Sequence, residues 1–158
     1  MTGGGDSKAS TTTEWVDLNG ASPGEDITGS WVGHCAAQMS GDTKSGYYIL
    51  IGGNGNPKKT LITTYDPKAK KMSPKWIVGP ELNGNGRKDH ACAYIRHKNV
   101  NYVIAVGGNS DQKGFLATSE ILNVDDGSNR WYQGEMYNKS MNICVGSNTF
   151  CRFKVQDF

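Results

Sequence analysis

The sequence contains neither a long apolar run nor a long stretch of helical periodicity. No apolar segment approaches the ~20 residues that a membrane-spanning helix needs, so no membrane span is expected. No apolar pattern repeats every ~3.6 residues over the length of a helix, so helices are expected to be nearly absent. The formal net charge is only +2, which is too small to predict a nucleic-acid partner.

Side chains suited to catalysis or metal binding are also scarce. The three histidines are His34, His90 and His97, and none pairs with a second His or Cys at a metal-ligand spacing. The Gly-Asn-rich stretches at 52–60 and 83–87 lack the spacing of a phosphate-binding loop and lead into no helix. The sequence contains no Gly-x-Ser-x-Gly nucleophile elbow. Its acidic residues are scattered over turns, so no pair of carboxylates can be assigned to general acid–base catalysis. The sequence therefore predicts no catalytic residue, no metal and no cofactor.

Turn formers and short apolar runs dominate what is present. The chain has 21 glycines, together with many Asn, Asp, Ser and Thr residues. The apolar runs at 47–51 and 102–106 are rich in β-branched and aromatic residues, and each ends in a Gly-Gly pair. Runs of this kind are typical of buried strands. The composition therefore favours an all-β fold.

An internal repeat of about 55 residues runs through the chain. The motifs that recur are Gly52-Gly53 as Gly107-Gly108, His34 as His90, and Trp76 as Trp131. Each full repeat is predicted to hold four strands, at 34–39, 47–52, 60–65 and 75–79 and again at 90–96, 101–107, 118–124 and 130–133. Partial units are expected to add strands at 12–18, 25–28, 142–145 and 151–155. We divide the chain into a partial blade and linker at 1–33, repeats at 34–79 and 80–133, and a partial third blade at 134–158.

The ordered set of motifs resembles the kelch repeat. Besides the Gly-Gly pairs, the motifs that carry the resemblance are Tyr65-Asp66-Pro67, Trp76 with a following glycine, and Arg87 three residues before His90. The second repeat departs from the pattern, because Val124 replaces the tyrosine. The resemblance implies a β-propeller built of four-stranded antiparallel blades. A propeller needs about four to eight blades, so the rest of the ring is expected from a longer chain, of which this would be a fragment, or from other copies; a non-propeller all-β domain is the third interpretation.

The resemblance also implies roles for the recurring residues. The glycines Gly52, Gly53, Gly107 and Gly108 would let the strand ends turn where a Cβ would clash. The indoles of Trp76 and Trp131 would fill the wedge between neighbouring blades. Arg87 and His90 would hydrogen-bond to backbone carbonyls.

Two functions are consistent with the resemblance. Kelch-like proteins commonly serve as protein-interaction scaffolds, which predicts a protein partner and no enzymatic activity. Some kelch-like propellers are sugar oxidases with a copper site built from Tyr, His and a Tyr–Cys crosslink, so a carbohydrate-active or metal-dependent enzyme is the alternative. No ligands for such a site can be assigned in this sequence.

The long loops indicate where a partner would bind. In an antiparallel blade, the loop between the second and third strands and the loop from the fourth strand to the next blade emerge on the same side. Here these loops are 54–59, 80–89, 109–117 and 134–141. Long polar loops on a rigid scaffold form a recognition surface. The candidate contact residues are Asn54, Lys58, Lys59, Arg87, Lys88, Asn109, Asp111 and Gln112.

The four cysteines leave the cellular compartment open. Cys144 and Cys151 have the spacing of a short hairpin, while Cys35 and Cys92 fall at nearly matching places in the two repeats. An even count suits two disulfides, Cys144–Cys151 and Cys35–Cys92, in a secreted protein. Four free thiols in a cytoplasmic protein are the other interpretation. The even cysteine count favours the extracellular or secretory interpretation.

Overall fold

The computed structural model describes residues 11–17, 20–24, 26–29, 31–40, 46–66, 68, 71–73 and 75–134. Within these ranges the chain forms only strands, turns and irregular segments, which confirms the predicted all-β fold class. The part of the chain described here accordingly has no helix that could cross a bilayer. The strands predicted at 142–145 and 151–155 and the Cys144–Cys151 pair lie outside the described residues.

Two antiparallel sheets contain most of the strands. The first sheet consists of β3 (Cys35–Gln38), β4 (Tyr47–Ile51), β5 (Thr60–Asp66), β6 (Lys71–Met72) and β7 (Ile77–Val78), and it is preceded by the hairpin of β1 (Glu14–Asp17) and β2 (Gly20–Pro23). The second sheet consists of β8 (Ala91–His97), β9 (Val100–Val106), β12 (Ser119–Asn123) and β13 (Trp131–Gln133), with the small hairpin of β10 (Asn109–Ser110) and β11 (Gly114–Phe115) inserted after β9. In both sheets the spatial order of the strands follows their order in the sequence.

The structure differs from the strand predictions at two outer strands. In the first sheet the strand predicted at 75–79 is reduced to β7, and β6 pairs separately with the far end of β5. In the N-terminal unit a strand was expected at 25–28, but the strand that pairs with β1 is β2, at 20–23. Outer strands pair on one side only, so their length depends on turn geometry that a repeat does not specify.

Successive side chains along each strand point to opposite faces of a sheet, and the register shows which residues share a face. The front face of the first sheet carries Ala37, Met39, Ile49, Ile51 and Ile62. It packs against the back face of the second sheet, which carries Cys92, Val103, Ala105, Leu122 and Trp131. Together with Leu82, these residues form the main hydrophobic core.

The back face of the first sheet has its own partner. Leu50 and Leu61 are buried there against Ile27 and Trp31, and Trp76 packs at the margin. Ile27 precedes the first sheet as Leu82 precedes the second, and both side chains are buried. The N-terminal unit therefore stacks on the first sheet in the same sense as the first sheet stacks on the second.

A glycine contact recurs once in each of the three units. The N–H groups of Gly24, Gly79 and Gly134 donate to the carbonyl oxygens of Thr13, Thr60 and Ser119 at 2.7, 3.0 and 2.9 Å. A Cβ on any of these glycines would clash with the hydroxyl of its Thr or Ser partner. The internal repeat predicted from the sequence is thus present in the fold, and it extends to a glycine that follows each outer strand.

A disulfide joins Cys35 to Cys92 across the two sheets, with the Cα atoms 5.9 Å apart. The two residues are 57 apart, whereas His34 and His90 are 56 apart. This offset of one residue turns Cys35 to the front face of its sheet and Cys92 to the back face of the next. Cysteines at truly equivalent positions would both point the same way along the stack and could not meet.

Candidate functional site

Three of the four predicted loops meet at the edge where β4 and β9 end. Backbone hydrogen bonds join the loop 80–89 to its neighbours on both sides: Leu82 N–H to Lys58 O at 2.9 Å, Arg87 N–H to Pro57 O at 2.8 Å, and Lys88 N–H to Asn109 O at 2.9 Å. We call the surface formed by the loops 54–59, 80–89 and 109–117 the loop surface. The fourth predicted loop, 134–141, lies outside the described residues except for Gly134.

Paired glycines allow these loops to approach one another. Gly52, Gly53, Gly107 and Gly108 all have positive φ angles, at 59°, 106°, 65° and 87°. A Cβ on Gly108 would lie 2.5 Å from the carbonyl oxygen of Lys88, and one on Gly52 would clash with the carbonyl oxygen of Arg87. The backbone conformation favours glycine at all four positions, and Gly52 and Gly108 also require glycine for space.

The buried side chain of Arg87 anchors the loop surface to the second sheet. Its guanidinium donates to Gly107 O at 2.8 Å and Thr118 O at 3.1 Å, and it forms a 2.9 Å ion pair with Glu120. Both side chains are almost fully buried, with exposures of 2% and 4%. The hydrogen bonds to backbone carbonyls agree with the structural role predicted for Arg87. The Arg87 side chain is 2% exposed and lies beneath the loop surface, so it is not accessible as a contact residue.

His90 is buried beside Arg87 and carries no charge near neutral pH. Burial, reinforced by the nearby Arg87 and His34, lowers the pKa of His90 to about 3. Neither ring nitrogen has a hydrogen-bond partner among the described residues. The predicted hydrogen bonds from His90 to backbone carbonyls are therefore wrong. The ring serves as packing volume close to Gly52 and Gly108.

The tryptophans fall into different cores. Trp131 is fully buried between the two sheets, and its indole N–H donates to Pro80 O at 3.0 Å. Trp76 is only half-buried, at the margin of the cluster behind the first sheet. The repeat did not single out Trp31, which is buried in that same cluster and donates to Thr28 O at 2.9 Å.

The remaining predicted contact residues lie on the loop surface with different exposures. Asn54, Lys59, Asp111 and Gln112 are exposed, whereas Lys58, Lys88 and Asn109 are half-buried. Lys88 forms a 2.6 Å ion pair with Asp111, and this hydrogen bond raises the pKa of Lys88. Lys88 and Asn109 also pair through their backbones across the two loops.

Sequence reasoning missed the most exposed aromatic side chain of the loop surface. Phe115 lies in β11, at the end of the β10–β11 hairpin, and is 87% exposed. Burying an aromatic ring is favourable, so a ring held in water on a fixed hairpin is available for contact with another molecule. The only sequence signal is the apolar run Phe115-Leu116-Ala117 at the end of a loop that is otherwise free of apolar side chains.

A small cavity of about 120 Å³ lies beside the buried ion pair. Asn83, Gly86, Arg87, Thr118 and Glu120 are among the residues that line it. The Arg87 and Glu120 charges neutralise each other, and Asn83 N–H donates to Glu120 at 2.6 Å. The cavity therefore presents no uncompensated charge. The polar groups that line it hold the loop 80–89 in place through the Arg87–Glu120 ion pair and the Asn83–Glu120 hydrogen bond.

The alternative prediction of a copper enzyme has no candidate ligand set in the described part of the chain. No group of three or more His, Cys, Asp or Glu residues there is arranged to hold a metal ion. Cys35 and Cys92 are paired with each other, so neither thiol is available for a crosslink to tyrosine.

Comparisons with known proteins do not identify a family. Neither a protein-family model nor a curated protein matched the chain.

Proposed function

We propose that the chain is part of a kelch-type β-propeller and that its loop surface binds a protein partner. The observation that carries the proposal is Phe115, an aromatic side chain 87% exposed on a hairpin that belongs to the loop surface. Aromatic residues are enriched at protein interfaces and often dominate their binding energy. Exposed Asn54, Lys59 and Gln112 would form the polar rim around it.

The hydrogen-bonded order of the loop surface supports a binding role. Its three loops are joined by backbone hydrogen bonds and anchored by the buried Arg87–Glu120 pair. A surface that is ordered before binding loses less conformational entropy when the partner arrives. The Cys35–Cys92 disulfide further favours an oxidising compartment as the place where the partner is met.

Site-specific photo-crosslinking tests the proposal. A photoreactive amino acid replaces Phe115 in one variant and Tyr47 in another, and both are irradiated in an extract of the cells that produce the protein. Tyr47 is a matched control, because it is 52% exposed and begins β4, at the end of the sheet opposite the loop surface. We expect one defined protein adduct from position 115 and none from position 47.

The captured protein then allows an affinity measurement. Phe115→Ala should weaken its binding by about 30-fold or more, which corresponds to the ~2 kcal/mol of an interface hot spot. Tyr47→Ala should leave the affinity within about threefold. The same adducts from both positions, or equal affinities for the two variants, would refute the assignment of the loop surface.

A further inference from the structure

Asparagine followed by glycine occurs four times in the sequence, and three of these pairs lie on the loop surface. The three are Asn54-Gly55, Asn83-Gly84 and Asn85-Gly86, whereas Asn19 lies outside the described residues. The backbone nitrogen that follows an asparagine can attack its side-chain amide, and glycine hinders this attack least because it has no Cβ. Each pair is therefore a candidate for chemical modification without an enzyme, and the structure distinguishes the three.

The first pair is accessible and lightly held. Asn54 and Gly55 are both exposed, and neither the Asn54 side chain nor the Gly55 N–H has a hydrogen-bond partner in the described part of the chain. Asn54 is anchored only through its backbone N–H, which donates to Val32 O at 2.7 Å and leaves the side chain able to rotate. The turn around the pair is closed by Asn56 N–H and Gly53 O at 3.2 Å. The two reacting groups can therefore meet without leaving a buried site.

The other two pairs are restrained. The Asn83 side-chain amide donates to the carbonyl oxygen of Trp131, and this hydrogen bond must break before the amide can turn toward the next nitrogen. Gly86 is buried, and a Cβ there would lie 2.6 Å from the backbone carbonyl of Pro57, so its backbone has no room to turn toward Asn85. Both asparagines are thus held away from the geometry that the attack requires.

We propose that Asn54 is a site of spontaneous deamidation on the loop surface. The Gly55 nitrogen forms a bond to Cγ of Asn54, the bond from Cγ to Nδ2 breaks, and the proton from the Gly55 nitrogen leaves with the released ammonia. The cyclic imide that results takes up water at either carbonyl carbon and opens to aspartate or isoaspartate. The reaction is intramolecular, so its rate depends on how freely the two atoms approach each other.

Deamidation changes the charge of the loop surface as the molecule ages. A neutral amide at position 54 becomes a carboxylate, in the same loop as the ammonium groups of Lys58 and Lys59. Opening to isoaspartate also adds a methylene group to the backbone of the loop. The reaction belongs to the chain itself and does not depend on whether the loop surface binds a protein.

Peptide mass spectrometry of aged protein measures the conversion at each asparagine. The unmodified full chain is incubated in its folded state at mildly alkaline pH, and aspartate and isoaspartate are then quantified after digestion under acidic conditions. We expect conversion of Asn54 to be at least about fivefold faster than that of Asn83 or Asn85, because these two must break contacts first. In urea the advantage of Asn54 should disappear, since each of the three asparagines precedes a glycine.

Two results would overturn the proposal. One is conversion in the folded chain that is equal at the three positions, or faster at Asn83 or Asn85 than at Asn54. The other is an Asn54 that stays intact in the folded chain over the time in which the urea sample is converted.

A pair of glycine variants identifies the attacking nitrogen. Gly55→Ala places a methyl group beside it and should slow the conversion of Asn54 by about tenfold or more, because small displacements of reacting atoms have effects of this size. Gly114→Ala is the control: Gly114 is exposed and also has a positive φ, 68° against 85°, but it follows a lysine. It should leave the conversion of Asn54 unchanged.

Equal conversion of Asn54 in the two variants would contradict attack by the Gly55 nitrogen. If Gly55→Ala does not fold, the comparison of the three asparagines in the unmodified chain decides the matter alone.

Discussion

Buried polar residues in this fold differ in charge and in hydrogen bonding. Arg87 is charged, and its two terminal nitrogens donate to Glu120 and to two carbonyl oxygens, whereas its buried Nε has no hydrogen-bond partner among the described residues. His90 lies beside it and is neutral near pH 7, and neither of its ring nitrogens has a hydrogen-bond partner in the described part of the chain. The resemblance to the kelch repeat implied a structural role for both Arg87 and His90, although Arg87 was also predicted as a contact residue. It could not predict that Glu120 completes the pair, since 33 residues separate Glu120 from Arg87.

The neutral state of His90 leads to a prediction about pH. The imidazole has a pKa of 6.5 when unperturbed and about 3 in the folded chain, so between these values the unfolded state binds more protons. Stability contributed by this group is therefore complete above pH 6.5 and falls as the pH drops toward 3, with a slope approaching 1.4 kcal/mol per pH unit. In His90→Phe that dependence is absent. We expect the free energy of unfolding of the variant to gain on that of the wild type as the pH falls.

Urea unfolding at several pH values between about 7 and 5 measures the effect. The decisive quantity is the change with pH in the difference between the two proteins, since a constant offset reports only the different size of the two rings. A difference that stays constant over this range would show that His90 is not held neutral.

At the scale of elements, strand ends were predicted better than outer strands. The Gly-Gly pairs located the ends of β4 and β9 because two backbones approach each other there, and only glycine fits. The division of the outer strand into β6 and β7 left no mark in the repeat. The cysteines were predicted at nearly matching places. The structure shows that the mismatch of one residue is what allows the disulfide.

A comparison of two glycines tests the close approach at the strand end. Gly108 and Gly127 both have positive φ, at 87° and 67°, but only at Gly108 would a Cβ meet neighbouring atoms. Gly127→Ala should cost about 1–2 kcal/mol from backbone strain alone. Gly108→Ala should cost about 2–4 kcal/mol, because the contact with Lys88 O adds steric repulsion to a similar strain.

Thermal or urea unfolding of both glycine variants measures the loss in free energy of unfolding for each. Equal losses for the two would mean that the loop carrying Lys88 yields to the added methyl group, and that the loop surface is softer than its hydrogen bonds indicate. A variant weakened at Gly108 should also have lower affinity for the partner captured at position 115, whereas Gly127→Ala should not.

At the scale of the molecule, the disulfide holds together two sheets that each fold from a continuous stretch of chain. The repeat predicted these stretches, but not how one packs on the other. That depends on which face each cysteine and each isoleucine occupies, and a shift of one residue reverses it. The register of β3 and β8 supplied this information.

Removing the disulfide should be costly. Cys35 and Cys92 are 57 residues apart, and opening a loop of this length is expected to lower the free energy of unfolding by about 4 kcal/mol. We expect this loss for Cys35→Ala/Cys92→Ala in urea unfolding, and a similar loss for the wild type in reductant. Ala36→Ser, at an exposed position of β3, is the control and should lose less than about 0.5 kcal/mol. A double variant as stable as the control would mean that packing alone holds the sheets together.

The uniform sense of the stacking has a consequence for symmetry. Front and back faces carry different side chains: the back face of the second sheet presents Trp131, and its front face presents isoleucines. A two-fold axis brings identical patches together, so it cannot pair a front face with a back face. Any assembly that continues this stacking is polar. It closes into a ring when the rotation from unit to unit divides a full circle, and it grows as an open fibre when it does not.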